Sequence, residues 1–171
     1  LLYKDCCNYR SSPLDRFLIY RRFASIVKPQ SFYDLHADST PIRCYFYNVD
    51  LQGRLFLEEV LPKNITSCIK ETKFLDFFFR RLQPLRPRDE ELLHNRDILK
   101  SEYPYVSPCG TELSFVRPAA TPIVFHSLQE DELLYAGTMI QSFEEKHLAI
   151  SEETGRLYHR LTGENVLARD K

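Results

Sequence analysis

Glycine is scarce in this sequence, with five residues in 171, and neither GxGxxG nor GxxxxGK occurs. Phosphate-cradling loops need clustered glycines so that backbone N–H groups can approach the anion, and their lack argues against dinucleotide and P-loop nucleotide binding. A surplus of either charge is also missing. With 23 Lys+Arg against 24 Asp+Glu, there is no global basic field to recruit nucleic acid. No apolar run approaches the length of about 18 residues that a membrane-spanning helix needs, so no transmembrane span is expected. The cysteines, Cys6, Cys7, Cys44, Cys68 and Cys109, are odd in number and include no CxxC pair. That pattern fits neither a disulfide scaffold nor a structural zinc site, and points to free thiols in a reducing compartment.

What the chain does contain is aromatic and aliphatic surface: 12 Phe and 10 Tyr in 171 residues that are 43% hydrophobic. This suffices for one core and is too little for two comfortable domains. The best-specified stretch is 103–128, YPYVSPCGTELSFVRPAATPIVFHSL. Ser107-Pro108-Cys109-Gly110 places Ser, Pro and Gly where a type I turn wants them, between strand-like runs on both sides, and predicts a β-hairpin. Two prolines, Pro118 and Pro122, then interrupt the chain before Ile123-Val124-Phe125, a run suited to a buried strand.

Ahead of this stretch, Ser12-Pro13-Leu14-Asp15 resembles a helix start, and the helix is expected to run to Lys28, where Pro29 stops it. Its cations Arg10, Arg16, Arg21, Arg22 and Lys28 oppose Asp15 alone, so this extension is either a solvated basic face or a dock for an acidic partner, RNA or an anionic lipid surface. Residues 30–41 show no period and read as a polar linker, in spite of the alternation of Asp34, His36 and Asp38. Residues 42–49 and 54–60 flank Asp50-Leu51-Gln52-Gly53, a second hairpin signature. Residues 63–82 predict an aromatic-rich helix, with Phe74, Phe77 and Phe78 largely buried against a sheet. Asn64-Ile65-Thr66 fits the glycosylation sequon and is read as the start of a helical turn instead. Residues 86–100 read as a charged surface excursion or a short helix. Beyond 128, short strands are expected near 133–137, 143–150 and 156–159, among acids that face only Lys146.

The expected architecture is therefore α+β: an antiparallel sheet built from hairpins, with the aromatic helix packed on it and an N-terminal helical extension. The extension and linker occupy 1–41 and a single domain occupies 42–171. Five ordered blocks, YFYNVDLQGRLFLEE (45–59), KFLDFFFRRLQP (73–84), YPYVSPCGTELSFVR (103–117), PIVFHSL (122–128) and GRLYH (155–159), resemble uncharacterised protein family 0598, also described as domain of unknown function 4505. The resemblance covers about 42–159 and implies a mitochondrial setting, in the matrix or at the matrix face of the inner membrane. A start at Leu1 without Met is consistent with a removed targeting segment. It implies no catalytic residue.

Chemistry must then come from the residues. Cys109, with Glu112 and His126 nearby in sequence, is the one constellation that can be drawn as nucleophile, orienter and base. No flanking signature of a cysteine hydrolase accompanies it, and Cys109 also fits as a small turn residue. His36, His94, His126, His147 and His159 share no HxH or HxxxH spacing, so no metal and no cofactor is expected. Aromatics beside Arg, as in Phe78-Phe79-Arg80-Arg81, suit base stacking, but the same pattern describes a core face beside a solvated face. The expected function is that of a non-catalytic accessory subunit of a larger mitochondrial assembly, a respiratory-chain complex first, with peripheral membrane proximity. The alternatives are the mitochondrial ribosome or another RNA-associated role, and a cysteine enzyme using Cys109 and His126.

Overall fold

The computed structural model describes residues 42–87, 89–90 and 101–162, together with the backbone of 32–35 and 41. The basic residues Arg10, Arg16, Arg21, Arg22 and Lys28, the helix expected around them, and His36 and His94 lie outside the described residues. Strand predominates. The main sheet takes β1 (Phe32–Leu35), β2 (Pro41–Val49), β3 (Leu55–Leu57), β4 (Gln83–Pro84), β5 (Tyr105–Cys109) and β6 (Glu112–Pro118), in the order β1-β2-β6-β5-β4 with β3 also on β2. Helix α1 (Thr72–Arg80) interrupts it between β3 and β4. A meander follows, of β7 (Phe125–Gln129), β8 (Glu132–Tyr135) and β9 (Met139–Ser142). A 3-10 turn (Glu145–His147) leads into a two-stranded ribbon of β10 (Leu148–Ile150) and β11 (Leu157–His159).

The strands pair antiparallel, as hairpin signals imply, except at the centre of the main sheet. There β2 and β6 run parallel, with Phe46 opposite Phe115 and Asn48 opposite Arg117. Two strands so far apart in sequence need a crossover, and here it consists of β3, α1, β4 and β5. Short-range turn chemistry carries no information about that pairing. A further correction falls on residues 30–41: the expected linker contributes β1, paired with β2 from Phe32–Cys44 to Leu35–Pro41. Four residues are too few for a strand period to be legible.

Both hairpins of the main sheet form. In the first, Asp50 Oδ1 accepts from the N–H groups of Gln52 and Arg54, each at 2.9 Å, and Gly53 takes φ 81°. In the second, the turn lies two residues beyond the Ser107–Gly110 position expected for it, with Gly110-Thr111 at its centre and Gly110 at φ 67°. Ser107 and Pro108 instead belong to β5. Ser107 is fully buried, and its hydroxyl donates to the Phe78 carbonyl at 2.8 Å, tying the strand to the end of α1.

The helix is shorter than the 63–82 expected. Asn64 Oδ1 accepts from Thr66 and Ser67, and Ile69 N–H donates to Leu55 of β3, so the segment before Glu71 spends its backbone groups on turns and on the sheet. Glu71 caps the helix by accepting from Lys73 and Phe74 N–H. Phe74, Leu75, Phe78, Phe79 and Leu82 repeat at helical spacing and meet Tyr47, Val49, Leu55 and Val116 on one face of the sheet. Phe77 falls on the opposite side and is exposed, with the Arg81 guanidinium 3.8 Å from its ring centroid. Phe79 is the buried residue that the sequence reading assigned to Phe77. The other face of the sheet packs Cys44, Phe46, Val106, Leu113 and Phe115 against Leu85 and Tyr103.

Among the contacts that join the later strands to this core are a set of hydrogen bonds and a close approach. Asp76 on α1 accepts from Gly137 N–H, Thr138 N–H and the Thr138 hydroxyl at 3.1, 2.8 and 2.6 Å. Val124 sits against Gly53, so closely that a Cβ there would come within 2.9 Å of Val124 Cβ.

Candidate functional site

The turn at 50–53, the wall of β4 and β5, the loop before β7 and the strand β11 enclose a half-open groove of about 750 Å³. Each wall is held by local chemistry. Arg54 Nε binds Asp50 Oδ2 at 2.6 Å and stiffens the turn that presents Leu51 and Gln52 at the rim. Pro84 and Tyr105 are cross-strand partners. The Thr121 hydroxyl donates to the Ile123 carbonyl at 2.8 Å and folds the loop that brings Pro122, Ile123 and Val124 to the floor. Arg156, just before β11, donates from Nη2 to the Leu51 carbonyl and so bridges two walls.

His159 is fixed from several sides. The Glu144 N–H reaches its Nε2 at 3.1 Å, and its Nδ1 lies 2.9 Å from the Arg160 carbonyl. The rings of Phe125, Phe143 and His147 surround it with centroids 6.0, 5.4 and 5.7 Å away. Both nitrogens thus have backbone partners, which suits a packed positioning residue. His147 Nδ1 is buried with no hydrogen bond, 3.7 Å from Glu144 Oε1. His126 lines the groove with an exposed side chain. Among the described residues, no three His, Cys, Asp or Glu side chains gather in a way that could hold a metal ion.

The constellation drawn from Cys109, Glu112 and His126 is not assembled. Cys109 is half-buried in the helix-side core, with Ser107 as its polar neighbour: the Ser107 hydroxyl lies 3.8 Å from the sulfur and the Ser107 carbonyl 3.7 Å. Glu112 faces Arg43 at 3.7 Å. His126 lies on the groove, which Cys109 does not line. Cys44, Cys68 and Cys109 take part in no disulfide. Burial, reinforced by the charge of Asp89, pushes the Cys44 thiol up to about 11, which keeps it protonated and unreactive at neutral pH.

A second polar cluster closes the far end of the sheet. Arg117 on β6 donates to Asn48 Oδ1 at 2.9 Å and to Glu58 Oε1 at 2.7 Å, while Asn48 also binds the Glu58 carboxylate. The guanidinium lies 5.2 Å from the ring centroid of Tyr103, whose fully buried hydroxyl has no partner. Burial raises the Tyr103 phenol well above its usual range, against the opposing pull of Arg117. A carboxylate, an amide and a guanidinium that satisfy one another hold three strands in register. This arrangement leaves no spare base or nucleophile.

The family described as Domain of unknown function (DUF4505) matches residues 36–170. The chain belongs to that family. The family region begins six residues before, and ends eleven after, the 42–159 span of the five sequence blocks, so it takes in the whole of the groove. No solved structure matches the chain.

Sequence reasoning weighed His126 as a base beside Cys109, set His126 and His159 aside as metal ligands, and missed the groove that they share. Arg156, Leu51, Pro84 and Tyr105 come from four separate elements, and no spacing rule links them. The available signal was the tight Asp50–Gly53 turn and the proline-flanked 121–125 loop, whose stiffness pre-forms a concave surface.

Proposed function

We propose that this DUF4505 domain is a non-catalytic accessory component of a larger mitochondrial assembly, a respiratory-chain complex first, and works through protein–protein contact. The observation that carries the reading is an apolar face left open beside the groove. Ile150 and Leu157 are cross-strand partners on the β10–β11 ribbon, and both are 63% exposed; Leu148 on the same face and Leu51 at the adjoining rim are also exposed. Single exposed apolar residues are ordinary, whereas a cluster on one ribbon marks a surface that a partner covers. Support for the mitochondrial setting comes from the resemblance of the five sequence blocks and from Cys44, Cys68 and Cys109, which take part in no disulfide and suit a reducing compartment. Balanced charge favours a respiratory complex over the ribosome, whose proteins need excess Lys and Arg for phosphates. Arg10, Arg16, Arg21, Arg22 and Lys28 are proposed as a second, basic contact surface. No described helix is long and apolar enough to cross a membrane.

The test is co-migration of tagged protein from detergent-solubilised mitochondria. The expected result is a large complex that loses the protein when Leu148 and Ile150 are both replaced by Asp. Migration as a free monomer overturns the reading, and sedimentation with rRNA that disappears after nuclease moves the protein to the ribosome.

A further inference from the structure

The groove has a chemical bias that its shape alone does not convey. The chain carries 24 Asp and Glu, yet among the described residues none of them lines the groove. Its fixed charge is Arg156, whose side chain, among the described residues, touches no carboxylate and has the Leu51 carbonyl as its partner. That contact uses one of five guanidinium donors and holds the planar group across the rim, with the rest available. Around it the surface is mostly apolar, with Pro84, Pro122, Ile123, Val124, Leu157 and Leu161 beside the polar groups of Gln52 and Thr121. A cation beside an apolar trough, with no counter-charge among the described residues, is complementary to an anion on an apolar body.

We infer that this groove binds an aliphatic monocarboxylate, with its carboxylate on the Arg156 guanidinium and its chain along the Pro122–Val124 floor. A single fixed cation matches a single negative charge; a second one, as on a phosphate monoester, would sit uncompensated among apolar walls. His126 is exposed at the groove and adds a ring N–H donor. An extended peptide fits less well. Strand β4, the edge beside the groove, offers Pro84 without an N–H, and the Leu51 carbonyl at the rim is already taken by Arg156. The volume of about 750 Å³ lies in the small-molecule range of about 300–1,000 Å³.

The experiment uses the full chain and decanoate below its micelle concentration, with decanol, acetate and decyl phosphate as comparisons, read by calorimetry and by thermal midpoint. Decanoate is expected to bind and to raise the midpoint, while each comparison binds at least about tenfold more weakly. Arg156→Gln is expected to lose at least about tenfold for decanoate and to leave decanol unchanged. Arg156→Lys, which keeps the charge, retains part of the affinity, and an unaltered midpoint without ligand verifies that either variant is folded. No binding of decanoate, equal binding of decanol, or binding that survives Arg156→Gln overturns the inference. A peptide with an apolar C-terminus that displaces decanoate as the free acid and not as the amide would also overturn it, and would assign the groove to a partner's tail. These measurements need only the purified chain, so their outcome is separable from that of the co-migration test.

Discussion

Phe78 has no exposed surface, whereas its neighbour Phe77 is 40% exposed beneath Arg81. Truncation of Phe78 to Ala is expected to cost about 3–5 kcal/mol, and truncation of Phe77 no more than about 0.5 kcal/mol, both measured by denaturant unfolding. Three consecutive phenylalanines hide their phase, because hydropathy alone does not say which one faces out; the stripe is set by Leu75 and Leu82 on either side. Arg117 was legible only as a residue before a proline, since its partners Asn48 and Glu58 lie 69 and 59 positions away. Arg117→Ala leaves the buried Glu58 carboxylate without its cation and is expected to cost about 1–3 kcal/mol. Asp76 supplies the pH dependence. Desolvation pushes its carboxyl up, but the bonds from Thr138 and Gly137, with Arg80 nearby, outweigh it and hold the group below its ordinary 3.8. A lowered folded value means that the stabilisation is complete above 3.8 and is lost as pH falls through the folded value. Asp76→Asn should therefore flatten the acid limb of a stability profile below about pH 5, and an unchanged limb would remove Asp76 from the account.

At the scale of elements, the hairpins that could be read were those with glycine at the turn. Gly53 and Gly110 both adopt positive φ, so DLQG and the residues around Gly110 announced their hairpins even though the second turn was misplaced. The β7–β8 turn went unread because Glu130 and Asp131 occupy it, at φ 46° and 67°. Two positive φ values in a two-residue loop are the pattern of a type I′ turn, normally Asn-Gly. A glycine-poor chain has put side chains where they are strained. Replacing Glu130-Asp131 by Asn-Gly is expected to stabilise the domain by up to about 1–2 kcal/mol, seen as a higher thermal midpoint. In the opposite direction, Gly137→Ala would set a Cβ 2.6 Å from the Thr72 carbonyl and 2.9 Å from Asp76 Oδ1. It should loosen the meander from α1 at a cost of about 1–3 kcal/mol.

For the molecule as a whole, composition bounded the class and local patterns located most of the strands, whereas the groove depended on which distant elements become neighbours. That arrangement hangs on the parallel pair at the middle of the sheet. Strand β2 completes its pairing only with β6, across a separation of 69 positions from Asn48 to Arg117. During synthesis the ribosome releases β2, β3 and α1 well before their central partner exists, so the first half of the domain emerges with its apolar strand unsheltered. Closing a loop of that length has to precede the contacts that reward it. The nascent chain should consequently stay sensitive to protease and dependent on chaperones until β6 has cleared the exit tunnel, and comparison of chains arrested with β6 still inside the tunnel against the released full chain would bracket the moment at which protection begins.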